Sequence, residues 1–194
     1  MEPNAVQPPT TRYAVVTGGN KGIGLETVRQ LAKAGVTVVL TARDEKRGME
    51  ATRLLHESGL TSNVVFHQLD VRDAKSIQSL VDFITTQFGR LDILLAGKAV
   101  NLIQDVVKIT YDSTKECLDT NYYGVKNLTE ALLPLLQRST SGARIVNVSV
   151  PRVRNVTFGM CTCKRELLML LKRYLDWQIM LPPYSISKAT LNVY

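Results

Sequence analysis

The sequence lacks the features that would direct a protein to a membrane or to the secretory pathway. Its first residues, MEPNAVQPPTT, contain neither the basic segment nor the apolar segment that begins a secretory signal. No apolar run approaches the roughly 20 residues that a membrane-spanning helix requires. The composition, with 45% apolar and 21% charged residues, is typical of an ordinary folded domain. We therefore expect one cytoplasmic domain with a sizeable core and no membrane partner.

Cysteine and histidine, the residues of disulfide frameworks and of many metal sites, are scarce. The three cysteines are Cys117, Cys161 and Cys163, and the two histidines are His56 and His67. An odd number of cysteines does not form a fully paired disulfide framework, and a C-x-C pair without nearby histidines lacks the usual spacing of a zinc site. We expect free thiols and no metal site.

Acidic residues are almost missing from one long segment. Arg138 to Arg173 contains eight basic residues and the single acid Glu166, a difference that equals the whole net charge of +7. Nucleic acid would bind such a segment, but interleaved aromatic residues and a known binding motif are absent. We therefore interpret the segment as a solvated basic face and expect no nucleic-acid partner.

Strands and helices alternate along most of the chain. After a flexible tail over residues 1–12, a buried strand, a glycine-rich turn and an amphipathic helix follow one another, and the same order recurs. Strands are predicted at 13–17, from 36, from 63, over "LDILLAG" and from 143. Helices are predicted after the glycines, over 44–58, over 74–88 and over 113–137, and the third of them has Asp73 as its N-cap and Gly89 as its stop. This alternation predicts an α/β fold with a doubly wound parallel sheet, interrupted by an inserted segment at about residues 151–183.

The turn "TGGNKGIG", Thr17 to Gly24, lies between the first strand and the first helix, which is the context in which a glycine fingerprint has meaning. Gly18 allows a tight turn, Gly22 lets the main chain approach a pyrophosphate, and Gly24 lets the helix pack closely on the strand. The N-terminus of the helix attracts the anion. An ordinary βα turn is the alternative. The favoured interpretation is a Rossmann-like, dinucleotide-binding domain over residues 13–194.

Tyr184 and Lys188, in "YSISK", lie four positions apart, so that both side chains share one face of a helix. A free tyrosine has a pKa of about 10 and is only a moderate acid at neutral pH. A lysine one turn away favours the phenolate and lowers that pKa towards the working pH. The pair is a candidate catalytic pair for proton transfer. By itself the spacing is a weak signal, because chance often supplies it.

The T-G-x-x-x-G-x-G spacing and the Y-x-x-x-K together resemble the short-chain dehydrogenase/reductase family, from about Tyr13 to Tyr194. "LDV" at Leu69 to Val71 and "NYYG" at Asn121 to Gly124 add to the match. Within the family the sequence is most similar to the NADPH carbonyl reductases, including the plant menthone, neomenthol and salutaridine reductases. The resemblance implies NADPH-dependent reduction of a ketone or aldehyde, with a terpenoid or alkaloid ketone as one class of substrate.

The resemblance also implies catalytic roles for individual residues. Tyr184 is expected to be the acid, Lys188 to tune it and hold the nicotinamide ribose, and Asn121 to support a helix kink and a proton-relaying water. An asparagine on a helix surface is the alternative for Asn121. Ser149 matches the first serine of the family's N-V-S-S, whereas Val150 occupies the position of the catalytic serine. Because valine donates no hydrogen bond, the carbonyl loses one donor unless Ser149 shifts its register.

The cofactor contacts implied by the same match extend from the glycine turn to the lysine of the tyrosine pair. They are Thr17, Gly18, Asn20, Lys21, Gly22, Ile23, Gly24, Arg43, Asp70, Val71, Ala96, Gly97 and Lys188. Enzymes that use NAD place an acid near the end of the second strand, but this chain has "TARDEKR" there. Arg43 would meet a 2′-phosphate and Lys21 adds a second cation, so NADP(H) is favoured over NAD. The alternative is that both cations are solvated surface groups.

The sequence also departs from the family. The asparagines expected before Ala96 and Gly97 are missing, and the chain stops at Tyr194, within the predicted helix of the tyrosine pair. We therefore expect a truncated chain whose sheet is incomplete at its C-terminal edge. Family members with the insertion are often monomers, but an exposed apolar edge would favour association. A catalytically silent dinucleotide-binding protein that acts through association with other chains is the alternative function.

Overall fold

The computed structural model describes residues 11–97, 115–116 and 118–148. Within these ranges, five parallel strands form one sheet in the order β3-β2-β1-β4-β5. The strands are β1 (Tyr13–Thr17), β2 (Thr37–Ala42), β3 (Val64–Gln68), β4 (Ile93–Ala96) and β5 (Arg144–Asn147). The strand order reverses between β1 and β4, and such a reversal opens a crevice at the carboxyl ends of the strands. The predicted doubly wound parallel sheet is confirmed.

Four α-helices connect the strands within the described part of the chain. They are α1 (Gly22–Lys33), α2 (Glu45–Leu55), α3 (Ala74–Gln87) and α4 (Gly124–Leu136). Asp73 caps α3 by accepting the main-chain N–H of Lys75 at 3.0 Å, and Gly89 follows the helix with a φ of +70°. Both ends of α3 therefore have the cap and the stop that the sequence predicts.

Two predicted helices are less regular than the sequence indicates. The helix predicted over 44–58 is regular as α2, and the chain leaves the helix at His56–Leu60, where Gly59 has a non-helical φ of +90°. The helix predicted over 113–137 contains a π-helical turn at Asp119–Tyr123 directly before α4. The π-helical turn before α4 has no signal in the hydrophobic pattern, because one extra residue in a turn shifts the pattern only slightly.

The core lies in two layers, one on each face of the sheet. Val15 of β1 packs in the layer of α3 and α4, whereas Ala14 and Val16 pack in the layer of α1 and α2. This alternation is the two-residue period of a strand, and it lets one apolar strand serve both layers. Within the described residues, no helix combines the length and apolarity needed to cross a bilayer.

Strand β5 is at one edge of the described sheet and pairs with β4. The side chains of Ile145 and Val146 are each 43% exposed there. The described residues exclude positions 1–10 of the tail predicted over 1–12, the insertion predicted at about 151–183 and the three cysteines.

A buried carboxylate at the start of β4 joins three strands at the edge opposite the crevice. Oδ2 of Asp92 accepts the main-chain N–H of Tyr13 at 2.8 Å. Oδ1 accepts the hydroxyls of Ser139 at 2.5 Å and of Ser141 at 3.1 Å, in the turn before β5. Burial raises the pKa of Asp92, but its hydrogen-bond donors lower it by more, so the carboxyl is ionised more readily than usual.

Replacing Asp92 with asparagine is expected to lower the free energy of unfolding by about 2 kcal/mol at neutral pH, because charged hydrogen bonds are lost. Since the folded-state pKa lies below the unfolded value of about 3.9, the carboxylate stabilises the protein above that pH and loses its contribution as pH falls through the folded pKa. Urea unfolding at several pH values should therefore show the difference between the parent and Asp92→Asn shrinking below about pH 4. A difference independent of pH would contradict this role.

Candidate cofactor site

A cleft opens at the carboxyl ends of the strands, where the strand order reverses. The cleft is formed by the carboxyl ends of β1 and β2, by the loops that follow β1, β2, β3 and β4, by the π-helical turn before α4 and by α4 itself. The cleft is lined by Thr17, Gly18, Asn20, Lys21, Thr41, Ala42, Arg43, Asp44, Arg47, Leu69, Asp70, Val71, Arg72, Gly97, Thr120 and Val125. Eight of the predicted cofactor contacts are among them, so the fold brings together residues that are far apart in the chain.

The glycine turn at the base of the cleft has a main-chain geometry that requires glycine. Gly18 and Gly22 have φ values of +62° and +56°, in the left-handed region that other residues avoid. A Cβ on Gly24 would lie 2.4 Å from the carbonyl oxygen of Gly18. The first turn of α1 therefore lies directly against the glycine turn, as the sequence predicts for Gly24. A Cβ on Gly22 would have no atom within 4 Å, which leaves this side of the turn open.

Hydrogen bonds hold the turn against the neighbouring strands. The hydroxyl of Thr17 donates to the carbonyl oxygen of Gly97 and accepts the N–H of the same residue, both at 2.9 Å. The N–H of Gly19 donates to the carbonyl oxygen of Thr41 at 2.9 Å. The end of β1 is thus fixed to the ends of β4 and β2, so the turn has one defined position.

The N-terminus of α1 faces the cleft without an acidic group of its own. Lys21 is the N-cap residue and makes no side-chain capping hydrogen bond, and the first turn of α1 contains no Asp or Glu. The partial positive charge of the helix end is therefore not neutralised by a carboxylate in that turn, and it can bind an anion.

Four basic side chains line the cleft, and two of them already have acidic partners. Arg47 lies 3.5 Å from Asp44, and Arg72 contacts Asp70 and Glu116. Lys21 and Arg43 form no ion pair within 4 Å among the described residues. Sequence reasoning found Lys21 and Arg43 but missed Arg47 and Arg72. The four-residue spacing from Arg43 to Arg47 was the available signal for the third cation.

Asp44 also lines the cleft, at the place where an NAD-binding acid would be expected. Its side chain, however, contacts the first turn of α2. Oδ1 accepts the main-chain N–H of Arg47 at 3.0 Å, and Oδ2 lies 3.5 Å from Nε of the same residue. The carboxylate therefore caps the helix, and Arg43 is the residue at the end of β2 that is left to meet a ligand.

Asp70 occupies the far side of the cleft, after β3. Burial raises its pKa, but the main-chain N–H and guanidinium of Arg72 and the charge of Arg43 together lower it by more. The net pKa of Asp70 is below its ordinary value, so the side chain is an ionised hydrogen-bond acceptor at neutral pH.

Asn121 lies in the π-helical turn before α4 and is only 2% exposed. The alternative of a helix-surface asparagine is therefore wrong. Thr120 beside it lines the cleft. Gly124 is packed so closely on Val71 that a Cβ would lie 2.7 Å from Cγ2 of the valine. The turn that carries Asn121 is thus in contact with the loop after β3.

The other predicted site residues do not line the cleft or lie outside the described residues. Ala96 is fully buried beside Val125 rather than on the lining of the cleft, and Ile23 is 58% exposed. Gly22 and Gly24 belong to the turn and the first turn of α1 without lining the cleft. Ser149, Val150, Tyr184 and Lys188 lie outside the described residues. No group of three or more potential metal ligands occurs in the described ranges.

The chain is similar to known proteins over most of its length. A family model described as short chain dehydrogenase matches residues 12–162. The (+)-neomenthol dehydrogenase of Capsicum annuum is 49% identical over 177 residues, which cover 72% of this chain and 56% of that protein. Carbonyl reductase [NADPH] 1 of Sus scrofa is 36% identical over 176 residues, which cover 86% of this chain and 60% of that protein. The matches thus span little more than half the length of these two relatives.

A solved structure confirms the likeness in three dimensions. The menthone neomenthol reductase from Mentha piperita has a TM-score of 0.77 and 37% sequence identity, and the match covers 95% of this chain and 84% of that one. The similarity in sequence and the similarity in fold therefore extend over the same glycine turn, strands and helices.

Proposed function

The chain belongs to the short-chain dehydrogenase family, and from that premise we propose that it is an NADPH-dependent reductase of ketones or aldehydes. The observation that carries the proposal is the cleft itself, in which a glycine turn and two cations without acidic partners in the described residues meet at the carboxyl ends of the strands. Relatives named as neomenthol dehydrogenase and as carbonyl reductase [NADPH] support a carbonyl or alcohol substrate. A terpenoid or alkaloid ketone is the substrate class that we propose.

In this proposal the glycine turn and the N-terminus of α1 bind the pyrophosphate of the cofactor through main-chain N–H groups. Arg43 and Lys21, with Arg47 beside them, neutralise the 2′-phosphate that distinguishes NADP from NAD. Asp70 and Val71 contact the adenine. Asp44, the acid that lines the cleft at the end of β2, caps α2, and this supports NADP(H) as the cofactor because the capping carboxylate is less available to ribose hydroxyls.

The bound nicotinamide supplies the hydride, and the chain supplies the proton. We propose that Tyr184 donates that proton to the oxygen of the carbonyl substrate. Lys188 lowers the pKa of the phenol and holds the nicotinamide ribose, and Asn121 supports the water that returns protons to the lysine. Ser149 polarises the carbonyl in place of the residue at Val150, which has no hydrogen to donate.

Two sequence features favour a second candidate, a dinucleotide-binding protein without turnover that acts through association with other chains. Val150 occupies the position of a catalytic serine, and the family's two asparagines are missing before Ala96. A titration with NADPH, followed by a turnover assay on a panel of cyclic ketones, separates the candidates. Binding with turnover supports the reductase, whereas binding without turnover supports the second candidate. No binding of NADPH would overturn both.

Location and assembly are part of the same proposal. We propose a cytoplasmic enzyme with a small-molecule substrate and no nucleic-acid partner. Association through the exposed edge at β5 stays a prediction, which the molecular mass in solution would test.

Replacing Arg43 with alanine is expected to weaken NADPH binding by about 10- to 100-fold, because one charge-assisted contact to the 2′-phosphate is lost. NADH binding should change by less than about threefold, since NADH lacks that phosphate. The measurement is the Kd of each nucleotide from the enhancement of nicotinamide fluorescence.

Arg53→Ala is the matched control for this prediction. Arg53 is an arginine of α2 that pairs with Glu50 and Glu57 and does not line the cleft. Equal losses of NADPH and NADH affinity in Arg43→Ala would contradict a role at the 2′-phosphate.

A further inference from the structure

Arg72 joins two acidic side chains that come from distant parts of the chain. Its Nε lies 3.5 Å from Oδ1 of Asp70, and its terminal nitrogen donates to Oε1 of Glu116 at 3.0 Å. Glu116 is 44 residues further along, in the segment that leads to the π-helical turn of Asn121. Arg72, which lines the cleft, therefore connects the loop after β3 to the segment that leads to Asn121.

The Arg72 guanidinium and a main-chain hydrogen bond together orient the Asp70 carboxylate. Oδ1 accepts the main-chain N–H of Arg72 at 3.0 Å in addition to facing its guanidinium. The main chain of Asp70 is fixed as well, since its N–H donates to the hydroxyl of Ser76 at 2.9 Å and its carbonyl oxygen accepts the N–H of Asp73 at 3.1 Å. No hydrogen bond from the described residues reaches Oδ2, so this oxygen is available to a ligand in the cleft.

Glu116 holds Arg72 in this arrangement. A guanidinium with a single acidic partner retains several rotamers, whereas contact with a carboxylate on each side selects one of them. A second contact reinforces the bridge nearby, because Val71 packs on Gly124 at the start of α4. The loop after β3 and the segment around Asn121 therefore touch at two points.

We propose that Arg72 is a positioning residue that turns Asp70 towards the exocyclic amino group of adenine, and that Glu116 anchors it. The inference rests on the proposed function, since it concerns the adenine end of the same cofactor. An amino group donates to a carboxylate oxygen, whereas the carbonyl oxygen of hypoxanthine at that position is repelled by it. A correctly oriented Asp70 therefore selects adenine over hypoxanthine.

A direct contact between Arg72 and the ligand predicts a different result. A guanidinium stacked on the ring, or paired with a phosphate, binds both bases through features that they share. Loss of such a contact lowers the affinity for both nucleotides by the same factor. The ratio of the two affinities consequently separates a positioning role from direct binding and from a general loss of stability.

The test compares NADPH with the reduced form of nicotinamide hypoxanthine dinucleotide phosphate on the full 194-residue chain. The parent should prefer NADPH by about tenfold or more, the equivalent of one hydrogen bond to a charged group. Arg72→Ala should reduce that preference to about threefold or less, and Arg72→Lys should restore part of it. Glu116→Gln should give an intermediate preference.

The control is Arg53→Ala, which removes an arginine that also bridges two carboxylates but lies outside the cleft, and its preference should equal that of the parent. Circular dichroism checks the folding of each variant; if Arg72→Ala does not fold, Glu116→Gln decides the question. An unchanged preference in these variants, or a parent that binds both nucleotides equally, overturns the inference. A parent that binds neither nucleotide overturns the proposed function instead.

Discussion

Replacing Gly24 with alanine is expected to lower the free energy of unfolding by about 2 to 3 kcal/mol and to weaken NADPH binding at least about tenfold. The added Cβ would lie 2.4 Å from the carbonyl oxygen and 3.0 Å from the carbonyl carbon of Gly18, and 3.3 Å from Cα of Gly19. All three atoms belong to the main chain, so no side chain can rotate away. Relief of the overlap must move α1 from the glycine turn, and this movement displaces the N–H groups that we assign to the pyrophosphate.

Urea unfolding and a fluorescence titration with NADPH measure the two effects of Gly24→Ala. Gly35→Ala is the matched control, because Gly35 has a φ of +80° and a Cβ there would meet no atom within 4 Å. In that variant an alanine adopts a left-handed backbone conformation, which costs about 1 kcal/mol. Its Cβ overlaps no other atom, and the residue lies outside the cleft. Similar stability and NADPH affinity in the two variants would refute the close approach of α1 to the turn.

Replacing Tyr184 with phenylalanine is expected to lower kcat by about 100- to 10,000-fold, because the proposed proton donor is removed. The Kd for NADPH should change by less than about twofold, since the hydroxyl acts on the substrate rather than on the cofactor. Steady-state kinetics with the best ketone of the panel, together with a separate NADPH titration, measure both quantities.

Tyr123→Phe provides the control for the loss of a tyrosine hydroxyl. Tyr123 is 42% exposed at the start of α4 and does not line the cleft, so its replacement should leave kcat and KM close to those of the parent. Turnover by Tyr184→Phe at the rate of the parent would remove the assigned role. A parallel fall in NADPH affinity would indicate a structural role in its place.

The regular elements were predictable because their signals are local. β1 begins and ends where the buried apolar run does, and α3 has the Asp73 cap and the Gly89 stop that the sequence indicates. The glycine turn was predictable for the same reason, since the positive φ values of Gly18 and Gly22 are requirements of the turn itself. The π-helical turn before α4 left no mark in the hydrophobic pattern, because a single extra residue hardly shifts a period of 3.6. The kink at Asn121 was expected only from the family resemblance.

The site was predictable only where a motif marks it. Lys21 and Arg43 follow from the glycine turn and from the end of β2, and Asp70 follows from the match of "LDV" to the family. Arg47 and Arg72 were missed because no motif includes them, although both line the cleft. The sequence did not decide whether Asn121 is buried or exposed on a helix surface. Its burial depends on packing that brings the loop after β3 against α4.

The sequence by itself determined the order of the strands and helices, the conformation of the glycine turn and the positive charge at the end of β2. Each of these three features depends on residues that are within about one helical turn or one strand of each other. The tertiary structure alone decided which charged groups meet. Arg72 reaches Glu116 across 44 residues of chain. This pairing arises from parallel crossovers that bring distant segments to one edge of the sheet, where side-chain geometry selects the partners.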